Sequence, residues 1–287
     1  MKKNIYFLLI AVGFSYFACK KEVVKPFAIT PVTPVVKKEY VLDTTVIWGD
    51  EFDYTGLPNA TKWGYDLGGG GWGNNELQNY TKDLKNARVE NGTLVIEALK
   101  ETSGSMRYSS SRVISKNKGD FTYGRFEIKA KLPKGRGTWP ALWMLATEQS
   151  YGTSYWPDNG EIDIMEHVGF DEGRVHGNIH TKAFNHGIGT NKGSSMLVSE
   201  ATSEFHTYAV NWLPDKIEFQ IDGKNYFLFV KDSFYSWEQW PFDRKFHLLM
   251  NIAVGGNWGG QKGIDDTVFP QRMEIDYVRV YGIKEKK

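Results

Sequence analysis

Short runs in which apolar and polar residues alternate recur along this chain, and no segment sustains a long helical period. Phe126, Ile128, Ala130 and Leu132 alternate with Arg125, Glu127, Lys129 and Lys131, a period of two that predicts a half-buried strand. Ile217, Phe219 and Ile221 alternate with Glu218 and Gln220 and run into Asp222-Gly223, a hairpin signal. Met273 to Tyr281 is a further β-rich run near the end. Strands with one apolar face need a second layer to cover it, so the pattern predicts an all-β, antiparallel sandwich. Thirty glycines and an aromatic share of 15% agree, since such usage favours strands, turns and stacking surfaces over helical bundles.

One of these runs carries charge. In Gly160-Glu161-Ile162-Asp163-Ile164-Met165-Glu166, Glu161 and Asp163 fall on one face of a strand and Ile162 and Ile164 on the other. Glu166 breaks the rhythm and would point into the core of a regular strand, where an unpaired carboxylate is too costly. A β-bulge at Ile164 and Met165 restores it to the face of the other two. Three neighbouring carboxylates repel one another, so one is held protonated near neutrality while another stays ionised. That division suits a retaining glycosidase, in which one carboxylate attacks and a second, about 5 to 5.5 Å away, protonates and deprotonates. Glu161 and Glu166 are the candidates for these roles, with Asp163 between them as modulator. A calcium ladder or a solvated strand face would give the same spacing.

At 287 residues the chain has ample length for a substantial core. Its formal net charge is +1 with no basic run in the body, which argues against nucleic acid or a heavily sulfated polymer and for a neutral ligand. Lys2 and Lys3, the apolar segment Ile5 to Phe14 and then the single cysteine, Cys19, predict a lipoprotein-type signal over residues 1–19. The apolar core is too short for an ordinary spanning helix. On this reading Cys19 is lipidated and the protein is exported to the bacterial outer membrane or cell surface, the anchor being its sole membrane contact. Plain secretion with Cys19 incidental is the alternative. Residues 20–40, rich in Lys, Pro and Thr and without amphipathic period, predict a flexible tether. Residues 41–287 then form one domain, expected to act as a monomer and, lacking cysteine, to rely on packing and on a metal ion rather than on disulfides.

The flanking residues sharpen the reading of the acidic strand. Trp48-Gly-Asp-Glu-Phe-Asp53, Gly70-Gly-Trp-Gly-Asn-Asn-Glu-Leu-Gln-Asn-Tyr80, Gly137-Thr-Trp-Pro-Ala-Leu-Trp-Met144, the acidic strand through Gly169, His176-Gly-Asn-Ile-His180, Gly255-Gly-Asn-Trp-Gly259 and Ile275-Asp-Tyr-Val-Arg-Val-Tyr281 span nearly the whole domain. With these segments in this order the chain resembles glycoside hydrolase family 16, and within it the bacterial laminarinase-like endo-β-1,3-glucanases. The resemblance implies a jelly-roll, concanavalin A-like sandwich of two curved antiparallel sheets with a glycan cleft on the concave face. It implies retention of configuration with Glu161 as nucleophile, Asp163 as its helper and Glu166 as acid/base, and no cofactor for catalysis.

Tryptophan faces pack on the C–H faces of sugar rings. The resemblance puts Trp139 and Trp143 near the cleaved bond, although Trp143 read alone is better taken as core filler. Trp258, and more weakly Trp72 and Trp156, lie in loop composition and are further candidates. Arg112 opens a strand after a serine run and is either a sugar-binding fork of donors or half of a salt bridge. By similarity it and Asn75 serve the subsite beside the nucleophile. His176, Asn178 and His180 share a strand face, and a hydrogen-bonding role is expected in preference to a metal site, since no clear third ligand completes one. The family pattern makes His180 a polar neighbour of the acid/base. It also implies a structural calcium held through carbonyls and one Asp at Glu51, Gly92 and Asp276, oxygen donors that suit this ion; a salt bridge of Asp276 is the alternative. The expected substrate is laminarin-type β-1,3-glucan, with mixed-linkage β-1,3-1,4-glucan as a second. A galactan hydrolase of the agarase or porphyranase kind and a non-catalytic glucan-binding protein are the competing readings.

Overall fold

The computed structural model describes residues 38–286. The expected export signal, Cys19 and residues 20–37 of the expected tether lie outside the described residues.

Eighteen strands make up most of the regular structure among the described residues. They are β1 (Tyr40–Asp50), β2 (Gly64–Asp66), β3 (Gln78–Tyr80), β4 (Ala87–Glu90), β5 (Thr93–Ala98), β6 (Tyr108–Ser110), β7 (Arg112–Ile114), β8 (Asp120–Phe121) and β9 (Gly124–Lys131). They continue with β10 (Thr138–Ala146), β11 (Glu161–His167), β12 (Arg174–His180), β13 (Lys192–Leu197), β14 (His206–Leu213), β15 (Lys216–Ile221), β16 (Lys224–Val230), β17 (Phe246–Val254) and β18 (Gln271–Glu285). Among the described residues no helix is long and apolar enough to cross a membrane.

Sixteen of the strands form two eight-stranded antiparallel sheets, and β3 and β6 pair in parallel as a third, two-stranded sheet. The first has the order β16-β15-β14-β9-β18-β5-β4, with β1 also paired to β18. The second has the order β13-β12-β11-β10-β17-β7-β2, with β8 also paired to β17. The alternation read from the sequence fixes which side chains lie between them. On β9, Phe126, Ile128 and Ala130 are fully buried while Arg125, Glu127 and Lys129 are only half-buried. On β15, Ile217, Phe219 and Ile221 do the same. The hairpin from β15 to β16 turns at Asp222-Gly223, whose φ angles of 49° and 74° match the tight hairpin turn that such a dipeptide favours. Facing these residues, Leu142 and Met144 of β10, Ile162 and Ile164 of β11, Val175 and Ile179 of β12 and Leu248, Met250 and Ile252 of β17 belong to the same core. Full burial of each such side chain contributes about 1.5 to 3 kcal/mol, so the core pins the register of both sheets.

The tether boundary differs by a few residues from the expectation. Tyr40 already pairs with Glu285 of β18, and the Lys286 amide donates to the Glu39 carbonyl at 2.8 Å. The last positions of the expected tether therefore run alongside the C-terminal strand.

Candidate active site

The second sheet turns one face to the core, so alternate residues of its strands must face outward. On β10 these are Trp139, Ala141, Trp143 and Leu145, on β12 His176, Asn178 and His180, on β17 Asn251 and Ala253, and on β7 Arg112. With loop residues that include Trp72, Tyr155, Trp156 and Trp258 they line a groove of about 750 Å³.

Glu161, Asp163 and Glu166 all open into it. The ladders show how. Against β12, Asp163 stands opposite Asn178 and Glu166 opposite His176, three steps on one strand against two on the other. Against β10, Asp163 pairs with Trp143 and Met165 with Leu142, again with one extra residue on β11. Ile164 and Met165 are both fully buried. This is the bulge expected from the sequence, and it exists because two consecutive apolar side chains both gain the core while Glu166 avoids it.

The three acids have different surroundings. Glu166 receives one neutral donor on each oxygen: the Trp139 indole N–H on Oε1 and the Asn178 amide on Oε2, both at 3.0 Å. His180 Nε2 lies 3.2 Å from Asp163 Oδ2 and 3.9 Å from Glu161 Oε1. Burial pushes Glu161 well above the usual carboxylate range, helped by the Asp163 charge and opposed by His180. Burial and the Glu166 charge do the same to Asp163. Glu166 is also raised by burial, but His180 and its two donors pull it back. Protons are thus retained in this row at pH values where ordinary carboxyls have lost them.

His180 acts on all three acids, Glu166 among them. Its direct contacts are to the first two acids, because the ladder sets it opposite Glu161, and the close polar neighbours of Glu166 are Trp139 and Asn178. Glu161, Asp163 and His180 offer ligand atoms within 4.8 Å of one another, enough to hold a cation, but the same contacts suit hydrogen bonding within the row.

The aromatic and basic residues converge as expected, with one exception. Arg112 satisfies both of its alternatives: it pairs with Asp66 at 3.1 Å, and its guanidinium lies between the rings of Trp72 and Trp143, 4.9 and 4.6 Å from their centres. Trp143 is not core filler, since its ring lines the groove and its N–H donates to Asn251 Oδ1 at 2.8 Å. Trp258 meets Trp139 edge to face, with centroids 5.7 Å apart. Asn75 is the exception. It bonds Asn257 Oδ1 at 2.8 Å and faces a smaller adjacent hollow, while its neighbours Asn74 and Glu76 line the groove. Its φ of 56° turns the loop there, so no strand period governs its direction.

The acidic side chains of the calcium set are engaged by basic residues. Asp276 Oδ2 is paired with Lys129 Nζ at 2.8 Å, and both oxygens of Glu51 are held by Arg279 at 2.8 and 2.7 Å. The salt-bridge alternative for Asp276 is thus present in this structure, whereas the expected set takes Glu51 and Gly92 by their carbonyls, which these side-chain pairs do not occupy.

Sequence reasoning passed over a buried chain beneath the groove. Trp143 donates to Asn251, whose amide donates to the Tyr80 hydroxyl at 3.0 Å, and Tyr80 donates to Glu76 Oε2 at 3.3 Å. Asn251 carried a signal, being the single polar residue in the apolar run Leu248 to Val254. Glu76, in an irregular loop, carried none.

Comparison with known proteins agrees with this geometry. Residues 74–279 match the family model described as glycosyl hydrolases family 16. The chain is 55% identical over 241 residues to a beta-glucanase of Rhodothermus marinus, covering 82% of this chain and 84% of that protein. The X-ray structure of the laminarinase from Rhodothermus marinus superposes with a TM-score of 0.83 at 52% identity, covering 86% of this chain and 99% of that one. A non-specific endo-beta-1,3(4)-glucanase from family GH16 superposes with a TM-score of 0.80 at 42% identity, covering 87% of this chain and 95% of that one. The sandwich is therefore the jelly roll of the laminarinases. At such identities across both sheets, the chain belongs to glycosyl hydrolase family 16.

Proposed function

We propose that this glycoside hydrolase cleaves β-1,3-glucosidic bonds within laminarin-type glucans by double displacement, with net retention and without a cofactor. The bulged row of three buried carboxyls in an aromatic groove carries the reading. Glu166, protonated, faces the glycosidic oxygen and gives it its proton as the bond to the anomeric carbon breaks. Glu161 attacks that carbon from the opposite face and becomes covalently bound to the sugar. Glu166, now ionised, takes a proton from water, whose oxygen displaces Glu161 and restores both carboxyls. Asp163, with His180 at 3.2 Å, modulates the charge on Glu161. Trp143 and Trp258 offer stacking faces, and the groove holds no run of lysine or arginine for a sulfated chain.

The relatives named as laminarinase and as endo-beta-1,3(4)-glucanase support a β-1,3-glucan substrate, with mixed-linkage glucan as a second. Reducing-end release from laminarin, lichenan and agarose compared side by side tests it. Release from laminarin is expected, with slower or equal release from lichenan; cleavage of agarose alone would sink the proposal.

A further inference from the structure

Residues 182–191, between β12 and β13, form a wall of the groove. The segment is built on the buried Asn185, whose side-chain amide donates to the carbonyls of Thr181 at 3.1 Å and Lys182 at 3.2 Å. The Thr190 hydroxyl accepts from the Asn185 backbone N–H at 3.2 Å and donates to the Ala183 carbonyl at 2.9 Å. From this frame two side chains reach the partners of the acid row. His186 packs edge-on against His180, with centroids 5.1 Å apart. Asn191 Nδ2 donates to Asn178 Oδ1 at 3.2 Å, and Asn178 Nδ2 in turn donates to Glu166 Oε2 at 3.0 Å.

A carboxamide has one accepting end and one donating end. With its oxygen engaged by Asn191, Asn178 has its NH2 left to face Glu166. Gly193 leaves the room that this amide oxygen occupies, for a Cβ there would stand 2.2 Å from Asn178 Oδ1. The geometry points to Asn191 as a positioning residue for the acid/base: it holds the Asn178 amide with its donor end on Glu166. This rests on the reading of Glu166 as acid/base.

The consequence is a protonation bias. Asp163 and Glu161 on the same strand, His176 and His180 on β12 and Tyr226 on β16 are the other titratable groups around Glu166. Burial favours the protonated form of the acid, while donors on its oxygens favour the ionised form. A reversed Asn178 would present its oxygen instead, and Glu166 would keep its proton to higher pH.

The pH dependence of kcat/KM for N191A, N191D and N178A against the unaltered protein tests this, since its basic limb reports the acid in the free enzyme. The basic limb of N191A is expected to move up by about half a pH unit, the scale of one neutral hydrogen bond, with the acid limb unmoved. N191D should move it further, by about one unit, because a carboxylate accepts from the Asn178 amide and turns it, and adds charge. N191A adds no charge and carries the decision: an unmoved basic limb in N191A overturns the role of Asn191. If N178A shifts the limb while N191A does not, Glu166 still depends on Asn178 but not on Asn191. If E166Q retains full hydrolysis of laminarin, the underlying reading of Glu166 has failed instead. Asn191 is exposed, so matching thermal melts are expected and separate these shifts from loss of fold.

Discussion

Glu161 and Glu166 lie on one face of the same strand, yet their environments divide them. Glu166 has a neutral donor on each oxygen, whereas Glu161 faces Asp163 and the more distant His180. E161Q should lower kcat on laminarin at least about a thousandfold while still binding it, because a nucleophile and its partners act as a unit. E166Q should lose laminarin turnover comparably but keep the first step on an aryl glycoside, whose leaving group departs without a proton; the release of the phenol in a pre-steady-state burst measures it. Equal loss on both substrates would count against Glu166 as acid. The acids were legible because their side of the strand follows from a period of two plus one bulge. Asn178 was legible as a face but not as a partner of Glu166, since the choice between it and His180 depends on which rung of the ladder each occupies. Asn75 came from similarity alone, and its direction was not legible because a loop residue at positive φ obeys no period at all.

At the scale of the element, β11 joins the acid row to a second buried group. His167, next to Glu166, is fully buried, and its Nε2 accepts the Gly173 amide at 3.1 Å. Burial lowers its pKa to about 4. In the unfolded chain an ordinary histidine titrates near 6.5, so below that value the unfolded state binds the extra proton. The resulting stability is fully present above about pH 6.5 and is lost as pH falls through about 4, on the order of 3 kcal/mol in all. Raised carboxyls such as Glu161 and Asp163 act in the opposite sense, so the difference between proteins is the observable. Urea unfolding of H167Q should show a shallower fall in stability between pH 7 and 4 than the unaltered protein; identical slopes would exclude His167. Legibility also varied by element. β9 and β15 show a clean alternation because one face is covered and the other is wet. β17 was not picked out, since all nine of its residues are buried, one face in the core and the other under the groove, and nothing alternates.

For the whole molecule, the antiparallel sandwich followed from strands that each need one face covered, while the order of the strands did not, because pairing of β18 with β1, β5 and β9 joins segments far apart in sequence. The salt bridge of Asp276 arises at this scale through the same strand: Asp276 lies where the pairing of β18 with β9 skips a residue, within reach of Lys129. A specific ion present at a hundred times its dissociation constant would add about 2.7 kcal/mol and raise Tm by several degrees. Chelation with EDTA decides between the two alternatives for Asp276: a drop of several degrees means a bound ion, and a shift of less than about 1 °C the salt bridge alone. The ladder between β1 and β18 has a practical corollary. It brings Lys38 to within 2.8 Å of Glu285, on the sheet remote from the groove. A bead or a fused module joined at Lys38 or Glu285 would therefore grip this domain by its back, and protein immobilised there should keep its mouth turned toward incoming polysaccharide.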